Sequence, residues 1–210
     1  MTFTPAAARK LSRNIALALA VTLAPIALSG CVGLGGGKAP ANLFTLTPEA
    51  VAPAGTGASA TKPGEAILVM EPDADRRLAA LRVPVQVDAV HIAYLKDSVW
   101  IERPTRLFRT LLAETLRAQQ GGLVLEDAQL GASAGTRLSG RLIDMGYDAP
   151  SQSVVVRFDA IRTGAKGEVA TRRFESRIPG IAPKAQAVGP AINQAANQVA
   201  QQVAGWMAGG

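Results

Sequence analysis

The feature that most limits how this chain can fold is an apolar run that ends just before its single cysteine, Cys31. The run, residues 15–29, carries no charge and follows a basic N-terminus without acidic residues. A helix of that length spans about 22 Å, less than the roughly 30 Å hydrocarbon core of a bilayer, and Pro25 would interrupt it. The pattern therefore predicts a cleaved signal peptide rather than a permanent transmembrane helix, and the working protein is expected to begin at Cys31.

The residues at the expected cleavage point, Leu28, Ser29, Gly30 and Cys31, resemble the lipobox of bacterial lipoprotein precursors. That resemblance implies a diacylglycerol on the thiol of Cys31, removal of the leader, and an N-acyl chain on the new amine. An ordinary signal peptide followed by an incidental buried cysteine is the alternative. Position 32 is Val rather than the Asp that retains enteric lipoproteins in the inner membrane. The resemblance thus implies an anchor in the inner leaflet of the outer membrane, with the body facing the periplasm.

The composition of the remaining chain argues against a nucleic-acid binder and against disulfide bonds. Removing residues 1–30 takes away three of the 22 basic residues and none of the 16 acidic ones, so the net charge falls from +6 to +3. Aromatic residues make up only 4% of the chain, and a nucleic-acid binder usually combines stacking aromatics with a stronger basic stripe. Because the only cysteine is assigned to acylation, no disulfide is expected.

The chain is predicted to have three parts. Residues 1–30 form the signal peptide, residues 31–41 are the acylated cysteine with a flexible tether, and residues 42–210 form a single periplasmic domain with a mobile loop at 49–64. The glycines of the tether do not indicate a phosphate-binding loop, because no strand precedes them and Ala39 stands where a Ser or Thr is required.

Periodicity in the domain predicts an α+β fold. Two main helices are expected at about 104–120 and 184–208, where apolar residues recur every three or four positions. Alternating segments at 136–147, 153–162 and 168–178 predict an antiparallel meander within a mixed or mostly antiparallel sheet.

The shorter segments give weaker signals. Residues 42–47 and 65–71 are strand-like, and residues 72–77 form a charged sequence that predicts a turn. Residues 82–94 are expected to be extended, with Pro84 at a sheet edge.

The last predicted helix has an uncharged polar face. It includes Gln194, Asn197, Gln198 and Gln201, and no charged residue follows Lys184. Such a face can join a partner without stripping water from ions, although many helices of this kind simply cover a sheet. Within the helix, Pro190 is expected either at the first turn or at a kink.

Arginines recur on alternate positions of the last two predicted strands, at Arg157, Arg173 and Arg177. The solvent face of the sheet is therefore predicted to be rich in arginine. It is either a plain solvated face or a contact surface for anionic headgroups or an acidic partner.

The sequence offers little for catalysis, and the protein is predicted not to be an enzyme. His91 is the only histidine, and it is expected to decorate a strand rather than to act as a base or metal ligand. No Gly-x-Ser-x-Gly elbow and no paired carboxylates stand out, so a lipid-modifying enzyme is the least favoured hypothesis. No metal site is predicted.

The order of these parts resembles the PqiC-like ABC-type transport auxiliary lipoproteins. The resemblance rests on the lipobox, the strand near residues 42–46, the passage from Tyr94 to Trp100 that leads into the helix at Pro104, the meander, and the Ala/Gln-rich helix that ends at Trp206. It implies a candidate partner surface that includes Tyr94 and Trp100, to which the helix face adds Gln194, Gln198 and Gln201.

The resemblance also implies a function. Members of this family are expected to act beside an MCE-domain protein, an ABC permease and an ATPase that move phospholipid between two membranes, and phospholipid itself is a further candidate ligand. The sequence has no Walker motif, so the energy must come from another chain. The alternative is a structural or assembly lipoprotein of the outer membrane without a transport role.

Overall fold

A computed structural model describes residues 42–57, 65–126 and 134–209 of the chain. Cys31, the lipobox residues Leu28, Ser29 and Gly30, and the tether lie outside the described residues. The described part contains ten strands and three helices: β1 (Asn42–Phe44), β2 (Ile67–Val69), β3 (Asp73–Ala74), α1 (Arg76–Ala79), β4 (Pro84–Gln86), β5 (Ile92–Tyr94), β6 (Ser98–Trp100), α2 (Pro104–Gln120), β7 (Val124–Leu125), β8 (Thr136–Asp148), β9 (Ser153–Thr163), β10 (Val169–Ile178) and α3 (Ala185–Ala208).

The α+β fold with an antiparallel meander is confirmed, since β8 pairs with β9 and β9 pairs with β10. Side chains of a strand alternate between its two faces. On β9, Val156 and Phe158 are buried beneath the helices on what we call the inner face, whereas Arg157 and Asp159 lie on the opposite, outer face. The register between β8 and β9 shifts at Ile143, which marks a bulge in β8. After this extra residue, the alternation of side chains between the two faces of the sheet starts again.

The other edge of β8 carries short parallel strands. The sheet order is β10-β9-β8-β2-β7, and β3 and β4 also pair with β8 further along it. Because β4 lies between β8 and β5, the prediction that Pro84 marks a sheet edge was wrong. Proline is tolerated there because it is the first residue of β4 and the pairing with β8 begins only at Val85.

The prediction of a turn at residues 72–77 was wrong, because this charged segment has regular structure. It contains strand β3 and the start of helix α1, and Arg77 of that helix donates to Asp144 on β8 at 2.6 Å. The next residue, Leu78, is fully buried in the core. A four-residue helix has little stability of its own, so this tertiary burial is what holds it in place.

Helix α2 is confirmed at its predicted position. Pro104 stands at its first turn, and Gly121 ends it in the left-handed conformation at φ 63°, donating its N–H to the carbonyl of Arg117. The helix packs on the inner face of the meander, where the rings of Phe108 and Phe158 meet edge to face with centroids 5.3 Å apart.

Helix α3 is also confirmed, and it covers the inner face beside α2. Its apolar stripe is buried: Val188, Ile192, Ala195, Val199 and Val203. Pro190 is the sixth residue of this helix, so it does not occupy the first-turn position that was one of the two predicted options. The preceding Gly189 gives room for a close packing contact, because a Cβ there would lie 2.9 Å from the ring of Phe44.

A second, two-stranded sheet lies at this end of the core. In it, β1 runs parallel to β6, and the rings of Phe44 and Trp100 pack edge to face at 5.7 Å. The chain that follows β1 is fixed across α3: Asn193 accepts the N–H of Thr47 at 2.8 Å, and Asn197 accepts the N–H of Glu49 at 2.8 Å. Part of the predicted loop at 49–64 is thereby tied to the body, and residues 58–64 lie outside the described residues.

Among the described residues, none of the helices combines the length and the apolar character needed to cross a bilayer.

Candidate functional site

The five residues predicted to form a partner surface occupy three different environments. Trp100 is in the core, Tyr94 lines a recess at the N-terminal end of α3, and Gln194, Gln198 and Gln201 lie along the solvent side of that helix. The structure therefore does not bring all five together in one exposed patch.

Trp100 does not lie on the exposed surface of the described part of the chain. Its side chain is only 2% exposed. On β6 the alternation turns Ser98 and Trp100 toward the core and leaves Val99 half-buried on the opposite side. The sequence did not reveal this orientation, because β6 has only three residues and its partner, β1, is more than fifty positions away. Trp100 is thus a packing residue for Phe44.

Tyr94 is half-buried and carries a cation on its ring. The guanidinium carbon of Arg82 lies 4.6 Å from the ring centroid, a distance typical of a cation–π contact. Tyr94 also lines a recess of about 440 Å³ together with Asn42, Lys96 and Lys184. Asn42 is the first residue of the described part of the chain.

The polar face of α3 is narrower than the sequence predicted. Gln194 and Gln201 are exposed and two turns apart, so they share one side of the helix. Gln198, between them, accepts a hydrogen bond from the hydroxyl of Ser176 on β10 at 2.6 Å. Asn197 is 1% exposed and serves the chain that follows β1. An uncharged strip remains that is open to solvent, with Gln194 and Gln201 at its centre.

Sequence reasoning missed a groove on the outer face of the sheet. It has a volume of about 460 Å³ and is lined by charged side chains that include Arg77, Asp144, Arg157 and Arg177. Arg157 is shared between two neighbouring strands: it donates to Asp144 on β8 at 2.6 Å and to Glu175 on β10 at 2.7 Å. Only the strand register places these opposite charges side by side.

The ion pairs also set the ionisation of this face. The hydrogen bond from Arg157 lowers the pKa of Glu175, and the same bond raises the pKa of Arg157. Arg173 donates to both oxygens of Asp159, at 2.6 and 2.7 Å, and lowers the pKa of that carboxyl. The groups therefore stay charged at neutral pH, and these arginines already have carboxylate partners. The outer face is a balanced charged surface rather than a free cationic one.

The single histidine lies on an open turn. His91 directly precedes β5 instead of lying on a strand, its side chain is 74% exposed, and its Nδ1 is 2.8 Å from Oδ2 of Asp88. Backbone N–H groups of the turn, foremost that of Val90, and the His91 ring lower the pKa of Asp88. Within the described ranges, no group of three or more His, Cys, Asp or Glu side chains is arranged to hold a metal ion.

Comparison with protein families decides the identity of the chain. A family model described as the ABC-type transport auxiliary lipoprotein component matches residues 44–204, which include nearly all of the folded body. The chain belongs to this family. The family is one of lipoproteins that assist ABC-type transport and not one of enzymes, and membership implies a lipid-anchored location in the cell envelope. The comparison with curated proteins finds no match.

Two solved structures have the same fold as this family member. A crystal structure of an uncharacterised protein aligns with a TM-score of 0.64 at 15% identity and covers 79% of this chain and 97% of that one. A crystal structure of a Xanthomonas campestris protein of the DUF330 family model aligns with a TM-score of 0.62 at 18% identity, and covers 79% of this chain and 94% of that one. At these identities the likeness supports the fold alone.

Proposed function

We propose that this protein is a lipid-anchored, non-catalytic auxiliary subunit of an MCE-associated ABC system that moves lipid between membranes, similar to PqiC. The observation that carries the proposal is the family match over residues 44–204. It spans α2, the whole meander and α3 as far as residue 204, so the relation concerns the folded body and not only a leader sequence. The sequence has no nucleotide-binding motif, so the ATPase of the system is a separate chain.

The anchor in this proposal is Cys31, carrying diacylglycerol and an N-acyl chain, in the inner leaflet of the outer membrane. It is supported by the residues Leu28, Ser29 and Gly30 before it and by Val32 after it. Three acyl chains hold a protein to a bilayer far more firmly than one does, since each buried CH₂ contributes about 0.8 kcal/mol. Cys31→Ala is expected to abolish incorporation of labelled palmitate. Label entering that variant at the wild-type level would exclude Cys31 as the attachment site.

The partner surface in this proposal is the uncharged strip of α3 around Gln194 and Gln201, with Tyr94 near the N-terminal end of the same helix. Amide side chains lose less hydration free energy on burial than charged ones, so such a strip can be covered by another protein at small cost. The outer face of the sheet is less suitable, because covering it would desolvate several ion pairs. This contrast is what supports placing the MCE-domain protein, and through it the permease and ATPase, against α3.

The test is co-purification from mild detergent. Wild-type protein is expected to retain the MCE-domain protein, and the double variant Gln194→Glu/Gln201→Glu is expected to lose most of it, because two buried carboxylates would lack partners. Gln119→Glu, on the exposed side of α2, is the matched control and should leave the complex intact. If wild-type protein retains no MCE-domain protein, the transport role fails and the structural lipoprotein becomes the better hypothesis.

A further inference from the structure

An exposed apolar patch lies on the small β1–β6 sheet. Leu43 and Val99 are register partners on the side of this sheet that faces away from Phe44 and Trp100. Ile101 follows β6 and donates its N–H to the carbonyl of Phe44, so it adjoins the same sheet. Leu43 is 65% exposed and Ile101 is 57% exposed, and both are large aliphatic side chains. We call Leu43, Val99 and Ile101 the β1–β6 patch.

The recess at the start of β1 holds two basic residues. Asn42, next to Leu43, lines the 440 Å³ recess together with Lys96 and Lys184. Both lysines are exposed, and neither has an ion-pair partner within the part of the chain that the structure describes. Asp97 is the acidic residue of the recess, so its net charge is +1. This differs from the outer face of the sheet, where Arg157 and its neighbours are paired with carboxylates.

The short length of chain between Cys31 and Asn42 favours a lipid surface as the binding partner of the β1–β6 patch. Asn42 is the first described residue, and it stands 11 positions after Cys31. Eleven residues span at most about 40 Å when fully extended, so acylation of Cys31 would keep this end of the body within that distance of the bilayer. A surface tethered so closely meets the membrane at a high effective concentration, so weak contacts suffice to hold it there.

We propose that the β1–β6 patch, together with Lys96 and Lys184, seats the body on an anionic lipid surface. The inference rests on the proposed acylation of Cys31. Aliphatic side chains enter the boundary between headgroups and acyl chains, while neighbouring lysines lie at the level of the lipid phosphates. The body is then held in one orientation, and the uncharged strip of α3 is carried at a defined angle to the membrane instead of rotating freely on the tether.

The test uses the acylated lipoprotein, with the whole chain from Cys31 onward, in vesicles of phosphatidylethanolamine and phosphatidylglycerol. Acylation blocks the thiol of Cys31, so Leu43→Cys supplies one free thiol for an environment-sensitive fluorophore. Val169→Cys is the matched control: Val169 is 64% exposed, against 65% for Leu43, and it pairs with Thr163 beside Arg162, which contacts Trp206 near the other end of α3. The two probes therefore report on opposite ends of the body.

With nitroxide-labelled lipid in the bilayer, the probe at position 43 is expected to be quenched and to emit at shorter wavelength, and the probe at position 169 is expected to show neither change. Replacing Lys96 or Lys184 by Gln should lower the ratio of docked to undocked protein about fivefold for each lysine removed. That loss should vanish in vesicles of phosphatidylcholine alone.

The outcomes separate the two proposals. If the protein does not remain bound to the vesicles, the proposed anchor at Cys31 is wrong. A chain that stays bound but shows equal quenching at positions 43 and 169 overturns the seating of the patch. Protection of the position 43 probe in detergent without any bilayer would also overturn it, because the patch would then be covered by a second copy of the chain.

Discussion

The two faces of the β8–β10 meander are made from alternate residues of the same strands, yet they have opposite chemistry. The inner face carries Phe158 and Phe174, both almost fully buried under α2 and α3. The outer face carries charged side chains that form ion pairs across the strands: Arg157 pairs with Asp144 and Glu175, and Arg173 pairs with Asp159. The comparison shows that one strand can provide the core of the fold and a fixed pattern of surface charge at the same time.

The two faces should differ in how much they stabilise the protein. A buried aromatic side chain contributes both its transfer from water and its packing contacts, which together reach several kcal/mol. A partly exposed ion pair contributes about 0–1 kcal/mol, because solvent screens the charges and two long side chains must be ordered. The inner face therefore stabilises the fold, and the outer face mainly determines which charges a partner would meet.

The largest expected effect is that of emptying the inner face. Phe158→Ala should lower the free energy of unfolding by about 3–5 kcal/mol, because the contact with Phe108 is lost and a cavity remains. Urea titration followed by circular dichroism measures this value. Ile161→Ala is the control on the outer face of the same strand, where the side chain is 38% exposed, and it should cost clearly less. Equal losses for the two variants would break the comparison.

The inner face should also reject an added methyl group. Gly140 on β8 has φ 148°, and a Cβ there would lie 3.0 Å from the ring of Phe158 and too close to the carbonyl oxygen of Asp159. Gly140→Ala should therefore lower the free energy of unfolding by about 1–3 kcal/mol. Gly205→Ala on the exposed side of α3 has open space around it and should instead raise stability by about 0.5–1 kcal/mol. Unchanged stability of the Gly140→Ala protein would show that β8 and β9 can move apart at this position.

Local sequence signals were enough to place the elements that enclose the inner face. Helix α2 was predicted at 104–120 because Pro104 and Gly121 mark its ends and its apolar residues recur at helical spacing. The meander strands were placed to within about two residues because alternation and turn residues are also local properties. Such patterns determine an element before any tertiary contact is known.

Features that depend on distant pairing could not be predicted. Strand β3 and helix α1 are too short to show a period, and the burial of Leu78 stabilises them only in the folded protein. The inward orientation of Trp100 follows from pairing with β1, and the interior position of Pro84 follows from pairing with β8. The ion-pair groove needs the register of three strands. In the candidate partner surface, the exposure of Gln194 and Gln201 could be predicted, because helical spacing is a local property.

On the outer face, removing the central cation should have a much smaller effect. Arg157 is 28% exposed and bonds Asp144 and Glu175, so Arg157→Met keeps most of the side-chain volume and removes only the charge and its hydrogen bonds. The expected loss is about 1 kcal/mol or less. Arg137→Met is the control, since Arg137 is exposed on the same sheet without an ion-pair partner among the described residues, and it should change stability even less. A loss as large as that of Phe158→Ala would reverse the assigned roles of the faces.

The smallest effect expected is a change in acid sensitivity. The hydrogen bond from Arg157 lowers the pKa of Glu175 below its ordinary value of 4.5. A carboxyl whose pKa is lower in the folded than in the unfolded state stabilises the protein above the unfolded value, and this contribution is lost as the pH falls through the folded value. Arg157→Met removes the cause of the shift. The stability difference between wild type and variant should therefore be constant above about pH 5 and should shrink below pH 4.5. Urea titrations of both proteins across this range measure that difference directly, and the contributions of the many carboxyls common to both proteins cancel.

Stability curves that remain parallel down to strongly acidic pH would mean that Arg157 and Glu175 are not coupled in solution. The outer face would then be a set of independent solvated charges, although the inner face would be unaffected.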